Sequence, residues 1–240
     1  MKNRIYRIAT LGLWLASTVL VGATDHFVSL TGAHNSPFTS WANAATNIQA
    51  AIDAAAAGET VWVTNGIYVT GGKVMAGDLT NRVALDKALT VRSVNGPEQT
   101  SIQGNGMTNG TLAIRCAWLT NGASLNGFTL ENGATRLIAD ILGVRGGGVW
   151  CASSNSIVEN CIIRSNTAYD IAAAVYQGSL NNCFITQNKS SIPSRGVVLN
   201  ATLNHCTVVS NLSIGVSGGN RTNCIVYFNA SANYQSGAFS

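Results

Sequence analysis

The sequence predicts an all-β fold, a right-handed parallel β-helix with an N-terminal capping α-helix. Three observations predict it. A short pattern recurs as VENCIIRSN (158–166), LNNCFITQN (180–188), LNHCTVVSN (203–211) and RTNCIVYFN (221–229). Charged residues make up only 10% of the chain against 46% apolar, a balance that argues against both disorder and a helical bundle. An alanine-rich amphipathic stretch stands ahead of the repeats, where a solenoid needs a lid.

The repeats carry the argument. Their cysteines, Cys161, Cys183, Cys206 and Cys224, lie 22, 23 and 18 residues apart. A unit of that size cannot bury its own short apolar run, so it must stack on copies of itself. Side chains alternate along a strand, which puts Cys161 with Ile163, Cys183 with Ile185, Cys206 with Val208 and Cys224 with Val226 on one inward face. The residue before each cysteine is Asn160, Asn182, His205 or Asn223, types that tolerate a left-handed backbone at a sharp corner. Val175, Val198 and Val216, eight residues before a cysteine or its equivalent, mark a further strand in each coil. At about 22 residues per coil the mature chain holds roughly eight or nine coils.

Asn166, Asn188, Asn211 and Asn229 occupy one position of successive coils. They are expected to form a structural ladder whose amides bond between rungs and satisfy corner backbone. The four repeat cysteines are expected as an unpaired internal ladder, since buried Cys behaves as a small hydrophobe. Cys116 and Cys151 lie outside that column, and a disulfide between them is the alternative.

Residues 1–23 have the character of a signal peptide. Lys2, Arg4 and Arg7 precede an apolar run from Ile8 to Val21, and Val21-Gly22-Ala23 supplies small residues for cleavage. The run is shorter than the ~20 residues that span a bilayer, which argues against the alternative of an uncleaved anchor. No other stretch is apolar enough to cross a membrane, so no transmembrane helix is expected in the mature chain. Removing the three basic residues leaves eleven Lys and Arg against ten Asp and Glu. The basic character of the whole chain therefore does not imply nucleic-acid binding. The chain is expected to be exported, to the medium, the cell surface or the periplasm.

Residues 24–68 are expected to form the cap and first coil, with a helix within Ser40 to Gly58, where Ile48, Ala51, Ile52 and Ala55 make one stripe. Glycine at 58 is placed to end it. FVSLTGAHNSPFTSWANAATNIQAAIDAAAAGETVWVTNGIY (27–68), continued in LTVRSVNGP (89–97), resembles the opening of secreted bacterial β-helix proteins of the pectate-lyase-like superfamily. That resemblance implies the fold. It leaves activity open, because the superfamily holds lyases, hydrolases, adhesins and spacers on one scaffold.

Residues 69–240 are expected to be coils. Phe128 takes the cysteine position of an earlier coil, and the 33 residues from Phe128 to Cys161 imply an insertion at 136–145. Gly146-Gly-Gly-Val149 and the Asn-Cys units also resemble, loosely, the repeats of polymorphic outer-membrane proteins. The last coil carries no evident cover, so a C-terminal continuation or a partner is expected to close that end.

Candidate sites are sparse. Lyase chemistry needs carboxylates for calcium and a basic side chain beside the abstracted proton, and hydrolysis needs paired carboxylates. The candidate catalytic cluster is Asp78, Asp86, Lys87 and Arg92, while Glu131 and Glu159 stand as isolated acids in the sequence. The three histidines are scattered and no Cys-x-x-Cys occurs, so no metal site is expected. Trp150 and Tyr176 follow inward valines and should face outward on neighbouring rungs. There they form either a stacking surface for sugar rings or a packing surface beneath the 136–145 loop.

The reading that follows is an exported, non-catalytic β-helix protein: an adhesin-like or carbohydrate-contacting module, or a structural stalk, with polysaccharide or cell-surface glycan as partner and no cofactor. The alternative is a polysaccharide lyase or other carbohydrate-active enzyme, which would bring in calcium.

Overall fold

A computed structural model describes residues 22–75, 77–106, 112–137, 143–192 and 195–235. The signal-peptide segment up to residue 21 and Asp140 lie outside these residues. The described residues wind through three long, mainly parallel sheets of eight, seven and eight strands, most coils giving one short strand to each wall. A two-stranded parallel sheet, Thr167–Ala168 with Lys189–Ser190, lies beside them.

The first wall stacks Asp25–Val28, Thr60–Val63, Thr90–Ser93, Ser124–Asn126, Ile157–Glu159, Ser179–Asn181, Thr202–Asn204 and Arg221–Thr222. The second runs from Gly66–Tyr68 through Thr100–Gln103, Thr129–Glu131, Ile162–Arg164, Phe184–Thr186 and Thr207–Val209 to Ile225–Tyr227. The third begins with Lys73–Val74, antiparallel to Thr80–Leu85, and continues through Ile114–Leu119, Val149–Cys151, Val175–Tyr176, Gly196–Leu199 and Ile214–Ser217 to Tyr234–Gln235. Eight strands in the first wall therefore define eight rungs, wound right-handed as parallel crossovers are.

Three apolar columns fill the interior. Val61, Val91, Leu125, Val158, Leu180 and Leu203 pair in register on the first wall. Tyr68, Ile102, Leu130, Ile163, Ile185, Val208 and Val226 do so on the second, and Val149, Val175, Val198 and Val216 on the third. Identical or similar side chains meet at every rung, so the core is continuous from rung to rung.

The corner between the first two walls is made by left-handed residues: Asn160, Asn182, His205 and Asn223 have φ of 51 to 53°. Glycine takes that place at Gly127, with φ 82°. The next residue, Phe128, Cys161, Cys183 or Cys206, is buried. Each thiol donates to carbonyls near the corner, as Cys183 Sγ does to Val158 O at 3.5 Å and Asn181 O at 3.4 Å. A small apolar side chain with a weak donor suits that position. All six cysteines are free thiols, so Cys116 and Cys151 are not paired.

After the second wall comes another left-handed residue, Ser165, Gln187, Ser210 or Phe228, and then the asparagine column. Asn132, with φ 55°, makes this corner in an earlier rung, and Gly133 takes the ladder position. Gly147 lies in the next rung position alongside, and a Cβ there would stand 2.1 Å from Thr167 O.

The helix is shorter than expected, Ile48–Ala54. Asn47 caps its start, with Oδ1 accepting from Ala50 N at 2.9 Å. Lys87 Nζ donates to Ile52 O at 2.8 Å and Ala55 O at 2.7 Å, tying off carbonyls at its end. Ala55 is already extended, which brings the chain into Thr60–Val63 and overrides the helix propensity of the alanines that follow. Residues 40–46 form turns, and Ala45 bridges to Val28.

Candidate functional site

The outward faces of the walls carry the chemistry. On the second wall, Gln103, Glu131 and Arg164 stack at one register position of three successive rungs. Glu131 accepts from Gln103 Nε2 at 2.8 Å, Ser101 Oγ at 2.9 Å and Arg164 Nε at 2.8 Å. Burial raises the pKa of this carboxyl, but the bonds from Gln103, Arg164 and Ser101 outweigh it, and the net direction is downward. Arg164 remains 47% exposed beside it. An open cleft follows this face, bounded by Ile67, Pro97, Glu98 and Thr129.

The third wall presents a column of outward side chains, Ala84, Trp118, Trp150 and Tyr176, paired rung by rung. These rings are outward but not open. Trp118 is 9% and Trp150 7% exposed, so Trp150 and Tyr176 do not form the exposed stacking pair that the sequence allowed. Their centroids are 6.5 Å apart with the planes at 75°, an edge-to-face contact. The Arg115 guanidinium lies 4.9 Å from the Trp150 centroid and that of Arg145 5.0 Å from Tyr176.

Arg115 is fully buried and donates to Gly146 O at 2.7 Å, Arg145 O at 2.7 Å and Asn81 Oδ1 at 2.6 Å. Burial pulls its pKa down to about 9. It ties the segment around 145–146 to the wall, and its guanidinium and that of Arg145 lie over Trp150 and Tyr176.

The four-residue catalytic candidate does not assemble. Asp86 pairs with Lys73 at 2.8 Å, and Lys73 also reaches Asp53 at 3.0 Å. Lys87 is occupied at the end of the helix. Asp78 pairs with Arg136, and Arg92 lies on the first wall with its guanidinium 5.4 Å from the Trp62 centroid. Asp78 lies in the turn before Thr80–Leu85, Asp86 and Lys87 directly after that strand, and Arg92 within Thr90–Ser93 of another wall, so the four do not converge. Among the described residues no three His, Cys, Asp or Glu side chains form a cluster able to hold a metal ion.

Glu131 and Glu159 are not isolated. Glu159 accepts from Asn126 Nδ2 at 2.8 Å across one rung, as Glu131 does from its own neighbours.

Among solved structures, pectate lyase Pel9A is similar, with a TM-score of 0.54 and 13% identity over 87% of this chain and 56% of that one. The likeness is one of fold. This chain spans just over half the length of Pel9A. No protein-family model and no curated protein matches the sequence.

The second-wall cleft is an open polar site among the described residues. Glu131 Oε1 accepts from both Ser101 and Gln103, whereas Oε2 accepts from Arg164 alone, so one carboxylate oxygen and the exposed side of Arg164 are left to hydrogen-bond hydroxyls, with Glu98 along the rim. The sequence hid it because Glu131 and Arg164 are 33 residues apart, across coils of unequal length. The signal was there in principle: each stands directly after an inward residue of its own coil, Leu130 or Ile163.

Proposed function

We propose that this protein is an exported β-helix that contacts a polysaccharide along its outer surface, holding the polymer without cleaving it. The observation that carries this reading is the Glu131–Arg164 pair in an open cleft of a rigid parallel sheet. Sugar recognition asks for fixed acceptors and donors at spacings the scaffold sets, and Glu131, fixed by Gln103 and Ser101, supplies one of each with Arg164. A carboxyl held below its usual pKa is a poor general acid. Lys73, whose pKa is raised by its bonds to Asp86 and Asp53, is a poor base at neutral pH.

The second reading is a polysaccharide lyase dependent on calcium, favoured by the fold likeness to Pel9A. One experiment separates the two. Purified protein is incubated with pectin, alginate and neutral plant polysaccharides, with and without calcium, and both retention on the insoluble polymer and release of unsaturated products are followed. Retention that falls in Arg164→Ala, without product, supports the binding reading. Product formed by the wild-type protein replaces it with the lyase.

A further inference from the structure

A second open cleft lies at the corner between the first and second walls, in the first three rungs. Trp41 stands along one side, Leu30 and Val94 add apolar surface, and Thr64, Asn65 and Asn95 supply polar groups. The Trp41 ring is fixed by Phe27, with centroids 4.5 Å apart. Phe27 is itself held in register with Trp62 on the next rung.

Three features set this cleft apart from ordinary surface. Trp41, Leu30 and Val94 are 45%, 47% and 45% exposed, so a contiguous apolar patch meets water on a scaffold that packs its other described tryptophans more deeply. Asn95 Nδ2 donates to Asn65 Oδ1 at 2.8 Å, which orients the pair and leaves the Asn65 amide nitrogen and the Asn95 amide oxygen for a ligand. The lining carries no charged side chain, and Arg92, one column away, is folded over Trp62.

A flat aromatic face beside a fixed donor and acceptor, without charge, matches a neutral pyranose ring. Such a ring has an apolar C–H face and a rim of hydroxyls. We infer that the cleft takes one neutral pyranose unit, its ring on the Trp41 indole and its hydroxyls on the Asn65–Asn95 pair. This rests on the polysaccharide reading above and names the sugar class at one end of the track. Asn65 borders this cleft and the following residue, Gly66, borders the Glu131–Arg164 cleft, so one polymer passes from one to the other around the corner.

The test is isothermal titration of the full chain with short oligosaccharides of β-glucan, xylan and mannan, and with oligogalacturonate as acidic comparator. Wild type is compared with Trp41→Ala, Trp41→Phe, Asn95→Ala and Arg164→Ala, each checked for an unchanged melting temperature. A neutral oligosaccharide is expected to bind wild type, to weaken about tenfold or more in Trp41→Ala (~1.4 kcal/mol), and to stay within about threefold in Trp41→Phe, which keeps an aromatic face. Asn95→Ala, which leaves the ring in place, is expected to weaken it as well. Neutral binding indifferent to Trp41 and Asn95, or binding of oligogalacturonate alone, overturns the inference. If polymer retention is then still lost in Arg164→Ala, the polysaccharide reading stands. Absence of binding to every polymer in the wild type overturns both.

Discussion

Asn188 donates both its main-chain N–H and its side-chain Nδ2 to Asn211 Oδ1, each at 3.0 Å. The same Nδ2 also reaches Ile163 O and Thr186 O at 2.9 Å, and Asn188 Oδ1 accepts from Asn166 N at 3.0 Å. One side chain thus satisfies buried backbone of two rungs. Asn188→Ala leaves several of those groups without partners at about 1–3 kcal/mol each, and a total loss of about 3 kcal/mol in chemical denaturation is expected. Asn229→Ala, in the more exposed last rung, should cost about 1 kcal/mol. Equal losses at both positions would show that the ladder does not act through burial.

The ladder was legible in the sequence because it repeats at one position of each coil, and the same holds for the cysteine column and for Val175, Val198 and Val216. What stayed hidden depends on coil length. Gln103 and Glu131 are 28 residues apart and Glu131 and Arg164 are 33, so no fixed period connects them. Trp118, the ring below Trp150, is hidden in the sequence for the same reason. Trp150 is covered by Arg115 among others, and the role of Arg115 appears only when Gly146 O and Arg145 O are brought to it. The helix ends at Ala54 with Ala55 already extended, and the partner of its end carbonyls is Lys87, far along the chain.

Gly147, two residues before the third-wall strand Val149–Cys151, has no room for a side chain. A Cβ there would stand 2.1 Å from Thr167 O and 2.9 Å from Ala173 O, both backbone atoms that cannot rotate away. Gly147→Ala should cost about 3 kcal/mol by forcing the neighbouring rung outward. Gly106→Ala, whose nearest neighbour would be Asn132 O at 3.8 Å, is the control and should stay within about 0.5 kcal/mol. Urea titrations of the two variants check the difference.

Thiol reactivity should follow depth in the column. Burial pushes Cys116, Cys151 and Cys161 up to about 12, and Cys183 is raised by its bond with Cys206 and by burial. Cys224, in the last rung, is only half-buried. The bond with Cys183 draws the Cys206 thiol down to about 7, but that side chain is 1% exposed. Brief iodoacetamide treatment of the native protein is therefore expected to modify half-buried Cys224 first, with Cys206 next and Cys116, Cys151, Cys161 and Cys183 only after unfolding, read by peptide mass spectrometry. Early modification of Cys161 would contradict the closed interior.

The acid limb of stability should be set by Glu59 and Glu131. Glu59 accepts from Ala56 N at 2.6 Å, from His26 Nε2 at 2.9 Å and from Thr24 N at 3.3 Å, so it ties the first strand to the turn after the helix. Its pKa is lowered from 4.5, chiefly by the Ala56 N–H and then by His26, and that of Glu131 is lowered as well. A carboxyl with a folded-state pKa below its unfolded one contributes stability that is complete above the unfolded value and lost as pH falls through the folded one. The melting temperature should therefore hold steady above about pH 5.5 and decline below the ordinary carboxyl value near 4.5. Glu59→Gln and Glu131→Gln should each lower the neutral plateau slightly and flatten the decline, with wild type and variant converging at the acid end. Parallel curves that never converge would mean that these side chains act through packing and not through charge.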